Sequence, residues 1–351
     1  MSGWPSLPLG LAGALLADEE MASVFSAEAE IEAMLAFERE LARAQHALGV
    51  LDAAALAAVE AVTVPDTLET SGLLAGIARD GLAVPAMVQQ LRSSLSAAHE
   101  KALHQGSTSQ DVIDTALMLR LKHATAILAV RLDTVVEALD GLTARAGAHP
   151  MIARTRFQDA LPFTFRDRIE TWRAPLEGLR ASVPTVFPLQ FGGAIGRRYE
   201  AYGPKADRIA VAMAEALGLN EIGRPWHTDR QPLSEIVAWP AALAIALGKI
   251  GQDVALMAQN PVAEVRAPGG GSSAMPHKNN PVGAELMVSL ARYVTAHAAM
   301  VQQASLHENE RSGIAWTQEW LALPPIFLGA AVSTRTAATL IPALEAGPAA
   351  P

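Results

Sequence analysis

The stretch Gly269-Gly270-Gly271-Ser272-Ser273-Ala274-Met275-Pro276-His277-Lys278-Asn279-Asn280-Pro281 gathers residue types that handle anions. Three consecutive glycines make a mobile loop. Two hydroxyls and an ammonium follow. Asn280 is a favoured helix N-cap and Pro281 is favoured at the first helical position, so a helix is expected to open here. The free N–H groups of a helix start receive anions. The set suits a carboxylate or an enolate-like anion. The spacing of a phosphate-binding P-loop is not met. From composition alone, a glycine-rich surface loop that merely caps a helix fits these residues equally well.

A second candidate is His104-Gln105-Gly106-Ser107-Thr108-Ser109-Gln110-Asp111. Thr108 and Asp111 form a capping-box pattern, and taken alone the segment reads as a plain N-cap. The helix it opens carries apolar residues at Val112, Ala116, Leu119, Ala126, Val130 and Val136. It is expected to run to about Ala146, roughly 35 residues and about 50 Å. Similar stripes predict helices over Pro281–His307, over Ser234–Gln259 with Pro240 as a kink, and from Ala315 to about Leu344 with Pro324-Pro325 inside. Helices this long, apolar on more than one face, suit a bundle that buries itself against other subunits. A smaller helical unit is expected before them, with helices over Glu28–Leu48 and beyond Pro85. The division expected is 1–105 for an N-terminal helical domain, 106–345 for a long-helix bundle and 346–351 for a tail. Joints fall at Pro162, Pro184–Gly196 and Gly223–Pro225.

Composition narrows the function classes. The 351 residues are 50% hydrophobic and only 5% aromatic, and alanine-rich runs favour helix. There is no cysteine, which excludes disulfides and thiolate chemistry. A net charge of −9 argues against a nucleic-acid surface. The apolar stretch Leu7–Ala17 lacks a basic flank and is followed by Asp18-Glu19-Glu20, unlike a signal peptide. The longest apolar runs, near Ile236–Leu247 and Leu321–Val332, contain proline and fall short of the ~20 residues of a membrane span. No His/Asp/Glu spacing of a metal site is found. A cytoplasmic protein without metal, cofactor, membrane or nucleic-acid partner is expected.

Gly271-Ser-Ser-Ala-Met-Pro-His-Lys-Asn-Asn-Pro281 resembles the signature GSSxMPxKxNP of the fumarase/aspartase superfamily at every fixed position. His104–Asp111 is similar to that family's HxGxTSxD segment. Arg154-Thr-Arg-Phe-Gln-Asp-Ala-Leu-Pro162 resembles its second block, usually Thr-His-x-x-x-Ala-x-Pro, and Gln190-Phe-Gly-Gly-Ala194 resembles the QxGGA turn after it. The likeness runs from about Phe25 to Trp320. It implies an all-α fold, with a small N-terminal helical domain and a long central bundle. It also implies a C-terminal domain of roughly a hundred further residues, which is short or missing in a sequence that ends at Pro351. By position, Ser272 becomes the catalytic base of the loop, while Lys278 and Asn280 stabilise a substrate carboxylate and its aci-carboxylate intermediate. Thr108, Ser109, Arg156 and Arg311 become carboxylate ligands. His104, Gln110, Gln158, Ser273 and Met275 become further substrate contacts. The family pattern also implies a homotetramer whose sites each draw the Thr108, Arg156 and Ser272 segments from three subunits.

One position separates reactions. Where the family's fumarases and argininosuccinate and adenylosuccinate lyases carry His in the second block, this chain has Arg156. Hydroxide and amine leaving groups need a proton, and arginine cannot supply one at neutral pH. A lactone opening expels a carboxylate, stable as an anion. Arg156 instead suits a grip on one carboxylate of a small tricarboxylate substrate. Glu310-Arg311, followed by Trp316-Thr-Gln-Glu319-Trp320-Leu-Ala-Leu-Pro324, resembles the cycloisomerase branch of the family. That branch implies cofactor-free ring closure of a carboxymuconate to its lactone, Ser272 delivering the proton to carbon. The alternatives are a C–N lyase of the adenylosuccinate or argininosuccinate type, and a catalytically silent helical-bundle relative. Trp316 and Trp320, one turn apart, read as core packing.

Overall fold

The computed structural model describes residues 10–271, 273–275 and 278–348. The sequence resolves into seven principal helices: α1 (Ala27–Ala47), α2 (Val84–Ser93), α3 (Ser109–Ala146), α4 (Phe165–Ala181), α5 (Gln231–Met257), α6 (Val282–Ala304) and α7 (Gly313–Leu340). Their starts follow local side-chain chemistry. The Ser26 side chain accepts from the Ala29 N–H to open α1. Thr108 and Asp111 form the expected capping box of α3, and Thr164 with Asp167 forms another at α4. Ser312 caps α7 through the Ala315 N–H. Each cap satisfies N–H groups that the first turn leaves free.

The helix ends pair in a fixed pattern. Arg230, just before α5, ion-pairs with Asp114 near the start of α3 and with Glu319 near the start of α7. Arg145, at the far end of α3, donates to the carbonyls of Ile341 and Pro342 beyond α7. Thus α3, α5 and α7 run the same way. The antiparallel α6 brings Ser305 to 3.0 Å from Ser234 on α5. Close approach of α5 and α6 depends on glycine. A Cβ at Gly248 would sit 2.5 Å from the Ala291 Cβ, and one at Gly251 would sit 2.5 Å from the Ala284 carbonyl. The apolar core includes Val112, Leu128, Leu139, Leu243, Ile250, Met287, Val294, Phe327 and Ala330. By length and composition, Gln231–Met257 and Gly313–Ala343 could each cross a membrane, but 67% of each apolar window is buried inside the protein. They are core helices.

Two short antiparallel pairs interrupt the helical pattern. Strands β1 (Pro150–Thr155) and β2 (Gln158–Thr164) form a hairpin between α3 and α4. Its two turn residues, Arg156 and Phe157, have φ of 49° and 64°, as a two-residue hairpin whose turn matches the strand twist requires. Non-glycine residues pay about 1–2 kcal/mol each there. Strands β3 (Val265–Arg266) and β4 (Glu345–Ala346) pair the approach to the signature loop with the end of the bundle.

The bundle therefore has two poles. Thr108, Arg230, Ser305 and Ser312 lie at one. The hairpin, the base of the signature loop at Gly270 and Asn280, and β4 lie at the other, where Arg154 of the hairpin meets Glu264 at 2.7 Å. The 38 residues of α3 separate the poles by about 57 Å at 1.5 Å per residue.

Candidate active site

At the first pole, long-range contacts gather three of the expected site residues. The Arg311 guanidinium donates from Nη2 to the Thr108 hydroxyl at 3.0 Å and to the Ala194 carbonyl at 3.1 Å. Its Nε donates to Gln110 Oε1 at 3.1 Å. Nη1 takes no partner among the described residues, so two N–H donors remain beside the start of α3. Ser109 is the first residue of that helix and is half-buried. The cluster joins an arginine fork, two hydroxyls and a helix N-terminus, all suited to a carboxylate.

Buried groups hold this cluster, and three of them, Asp114, His227 and Arg230, belong to no motif marked in the sequence. Asp111 accepts from the N–H groups of Thr108, Gly192 and Gly193 and pairs with His227 Nε2 at 2.9 Å. Its carboxylate thus fixes the Gln190–Ala194 turn against the start of α3. Gln110 is buried and donates to Asp114 and to the His227 carbonyl. Its side chain therefore orients Arg311 through its remaining oxygen. Below it, Arg230 makes two contacts each with Asp114 and Glu319, all three fully buried. Burial raises the Asp114 carboxyl, but the charge and hydrogen bonds of Arg230 more than offset this and hold it below the usual carboxylate range. Trp316 donates to Asp114 at 3.2 Å and packs against Trp320 with ring centroids 5.2 Å apart and planes tilted by 40°. It packs in the core as expected and also completes this ionic network. The signal for the network was a charge within an apolar run: Asp114 after Val112 and Ile113, and Glu319 beside Trp320.

His104 lies behind the same cap. Its Nδ1 is 2.6 Å from the buried Glu38 of α1 and 3.0 Å from the Ser107 hydroxyl.

At the second pole, Arg156 is exposed at the hairpin tip and has no ion pair among the described residues. Its acidic neighbours are already engaged: Asp159 and Glu264 pair with Arg154, and Asp167 caps α4. Gln158 begins β2 and is also exposed. The signature loop is closed at its base by reciprocal 2.9 Å hydrogen bonds between Gly270 and Asn280. Ser272, Pro276 and His277 lie outside the described residues. Ser273, Met275 and Lys278 are exposed, with the Lys278 N–H bonded to the Met275 carbonyl. Asn280 differs from expectation. It is not the cap of α6: Pro281 takes that position with φ −78° and ψ 61°, and the helix begins at Val282. The Asn280 N–H and carbonyl pair with Gly270 and the carbonyl also accepts from Val282, while the first helical turn closes on the Pro281 carbonyl, which accepts from Glu285.

One chain thus brings Thr108, Gln110 and Arg311 together, with Ser109 and His104 nearby, but leaves Arg156, Gln158, Lys278 and Asn280 at the opposite end. Among the described residues, no three His, Asp or Glu side chains gather to hold a metal.

Comparison with known proteins decides the family. Residues 18–296 match the family model described as Lyase. The chain belongs to that lyase family. Its sequence is 35% identical to 3-carboxy-cis,cis-muconate cycloisomerase of Pseudomonas aeruginosa, covering 93% of this chain and 73% of that one. It is 36% identical to nitrosuccinate lyase of Streptomyces davaonensis, covering 95% and 74%. The fold superposes on the crystal structure of 3-carboxy-cis,cis-muconate lactonizing enzyme from Pseudomonas putida with a TM-score of 0.86 and 33% identity, covering 96% and 77%. The fumarase/aspartase-like all-α architecture expected from the motifs holds, and the chain also carries two short strand pairs.

Proposed function

We propose that this lyase-family chain is a cofactor-free cycloisomerase that converts 3-carboxy-cis,cis-muconate to 4-carboxymuconolactone. The observation that carries the reading is Arg156. Its guanidinium projects from the hairpin tip with no ion pair among the described residues, at the position where fumarases and amine-releasing relatives resemble one another in carrying His. A free arginine there can grip a carboxylate but cannot protonate a leaving group. The similarity to cycloisomerases along nearly the whole chain supports the same reading.

In this scheme Thr108, Ser109, Arg156, Lys278 and Arg311 hold three carboxylates. One substrate carboxylate adds across a double bond to close the lactone ring. Negative charge builds on the adjacent carboxylate as an aci-carboxylate, stabilised by Lys278, Asn280 and helix N-termini. Ser272 gives a proton to the carbon, and removes it in reverse. His104, Gln110, Gln158, Ser273 and Met275 complete the substrate's surroundings.

The two poles of one chain are too far apart for one molecule to bind at both. We therefore propose a homotetramer whose neighbours run antiparallel, each site drawing on three subunits. Apolar side chains left exposed on three bundle helices support such packing: Val130 is 68% exposed, Ile245 52% and Leu321 52%. A metal-free enzyme of the cytoplasm completes the reading.

The similarity to nitrosuccinate lyase favours a second reading, loss of nitrite from a nitro-dicarboxylate. Nitrite, like a carboxylate, leaves as a stable anion, so the absence of an acid at position 156 does not separate the two reactions. The number of carboxylates gripped does. Loss of carboxymuconate absorbance on adding the enzyme supports the first reading. Nitrite release from nitrosuccinate with an unchanged carboxymuconate spectrum overturns it.

A further inference from the structure

His104 stands with φ at 59°, a backbone conformation that costs a non-glycine residue free energy. The surroundings hold it there. Its Nδ1 lies 2.6 Å from Oε1 of Glu38, a carboxylate only 1% exposed. The other Glu38 oxygen is buried and has no hydrogen-bond partner among the described residues. A buried carboxylate with a single partner directs its charge at that partner. With Glu38 ionised, the imidazole donates from Nδ1 across the 2.6 Å contact, which leaves Nε2 as its other nitrogen. Nε2 has no partner among the described residues. The histidine lines a groove of about 440 Å³ together with Val84, Val88, Arg92, Glu100 and Ser109. The groove thus joins the N-terminal helices to the first residue of α3.

We propose that Glu38 is a positioning residue for the active site: it fixes the Nδ1–H form of His104, so that Nε2 faces a substrate carboxylate held by Ser109 and Arg311. This rests on the proposed reading of that pole as a carboxylate site. The charged groups around the ring favour the cation on balance. Burial disfavours the imidazolium, Glu38 by charge and hydrogen bond favours it, Asp111 adds to that, and Arg92 opposes it; the result is an imidazole raised above its ordinary value. The remaining titratable wall of the groove, Glu100, is exposed.

The test replaces Glu38 with Gln, which keeps the shape and removes the charge. Ring-labelled histidine NMR, with His104 assigned by its loss in His104→Gln, follows the titration without reference to activity. In the wild type His104 should titrate above the ordinary histidine value, and in Glu38→Gln its midpoint should fall by about one unit. Affinity for tricarballylate, a plain tricarboxylate, should drop about tenfold, and KM for the true substrate should rise while kcat changes less. A wild-type His104 that titrates at or below the ordinary histidine value overturns the proposal even if Glu38→Gln does not fold. So does a folded Glu38→Gln with unchanged titration or unchanged tricarballylate affinity. If the enzyme proves inactive on carboxymuconate, the proposed reaction fails, yet the titration and the tricarballylate measurement still decide the role of Glu38.

Discussion

Arg311 and Thr108 stand 203 positions apart in the chain, and their side chains meet at 3.0 Å. The contact spans two loops held by separate devices, the capping box of α3 and the Ser312 cap of α7. It leaves the guanidinium with donors to spare. Arg311→Ala should weaken substrate or transition-state binding by about 1.5–3 kcal/mol, the range for a hydrogen bond to a charged group. Arg311 is exposed but tethers Thr108, Gln110 and the Ala194 carbonyl, so the melting temperature should fall by no more than a few degrees. A KM and kcat equal to wild type in the folded variant would remove Arg311 from the site.

Beneath that contact, the Arg230 network should govern stability. Arg230→Met leaves Asp114 and Glu319 buried without a counter-charge, and should cost about 3–5 kcal/mol. Its pH dependence has a definite sign. The Asp114 carboxyl is depressed in the folded state, so its contribution is present above its unfolded value near 4 and is lost as the pH falls through the lower folded value. Asp114→Asn should therefore be less stable than wild type at pH 7, with a gap that narrows below about pH 4. Chemical denaturation across that range gives the answer. A gap that stays constant with pH would mean that Asp114 does not titrate with folding.

The capping box at Thr108 was legible because it is local: both partners lie within one turn. The Arg230 network was not, because its three members come from separate segments and only the fold brings them together. The hairpin is not legible for another reason. Its turn is Arg-Phe rather than the Asn-Gly that marks such turns, and Phe157 and Leu161 on it are exposed, so no alternation of buried and open residues appears. Cap preference favours Asn280 one residue ahead of the true cap because it ignores competing backbone partners, here Gly270. The role of Ser272 rests on motif resemblance alone.

Ser272→Ala should lower turnover by about 10²–10⁴-fold, as loss of a general acid–base group does, with tricarboxylate binding retained. A variant above about a tenth of the wild-type rate would exclude Ser272 as proton carrier.

Mixed oligomers should reveal the shared site. Arg311 and the signature loop lie at opposite poles of the bundle. Arg311→Ala and Ser272→Ala, each impaired alone, should regain activity after subunit exchange, because some hybrid sites receive an intact residue from each chain. Exchange verified by mass, with no recovery, would mean that both residues of a site come from one subunit.

Arg156 provides the sharpest test of the proposed chemistry. The two acids best placed by sequence to pair with it are otherwise engaged, Asp159 with Arg154 and Asp167 with the Thr164 cap. A stabilising ion pair is thus not what Arg156 supplies. Its backbone, moreover, is strained at the hairpin tip. A residue that is exposed, strained and unpaired costs the fold more than it returns, which points to a role outside its own chain. Arg156→Ala should leave the melting temperature within a few degrees of wild type and weaken substrate or transition-state binding by about 1.5–3 kcal/mol. Arg156→Lys should restore only part of this, because an ammonium does not reproduce a planar two-pronged contact. Arg156→His restores the residue that amine-releasing lyases carry, yet it should not help, because a carboxylate leaving group needs no acid. Arg156→Gly separates the backbone from the side chain. It relieves the left-handed strain and should stabilise the hairpin by up to about 1 kcal/mol, while losing as much affinity as Arg156→Ala. The deciding measurement is the substrate dependence of rate for all four variants beside their melting temperatures. Affinity that tracks the guanidinium while stability tracks the backbone fits a carboxylate grip. Wild-type KM and kcat in a folded Arg156→Ala would remove that grip, and with it the main reason to place cycloisomerisation above amine elimination.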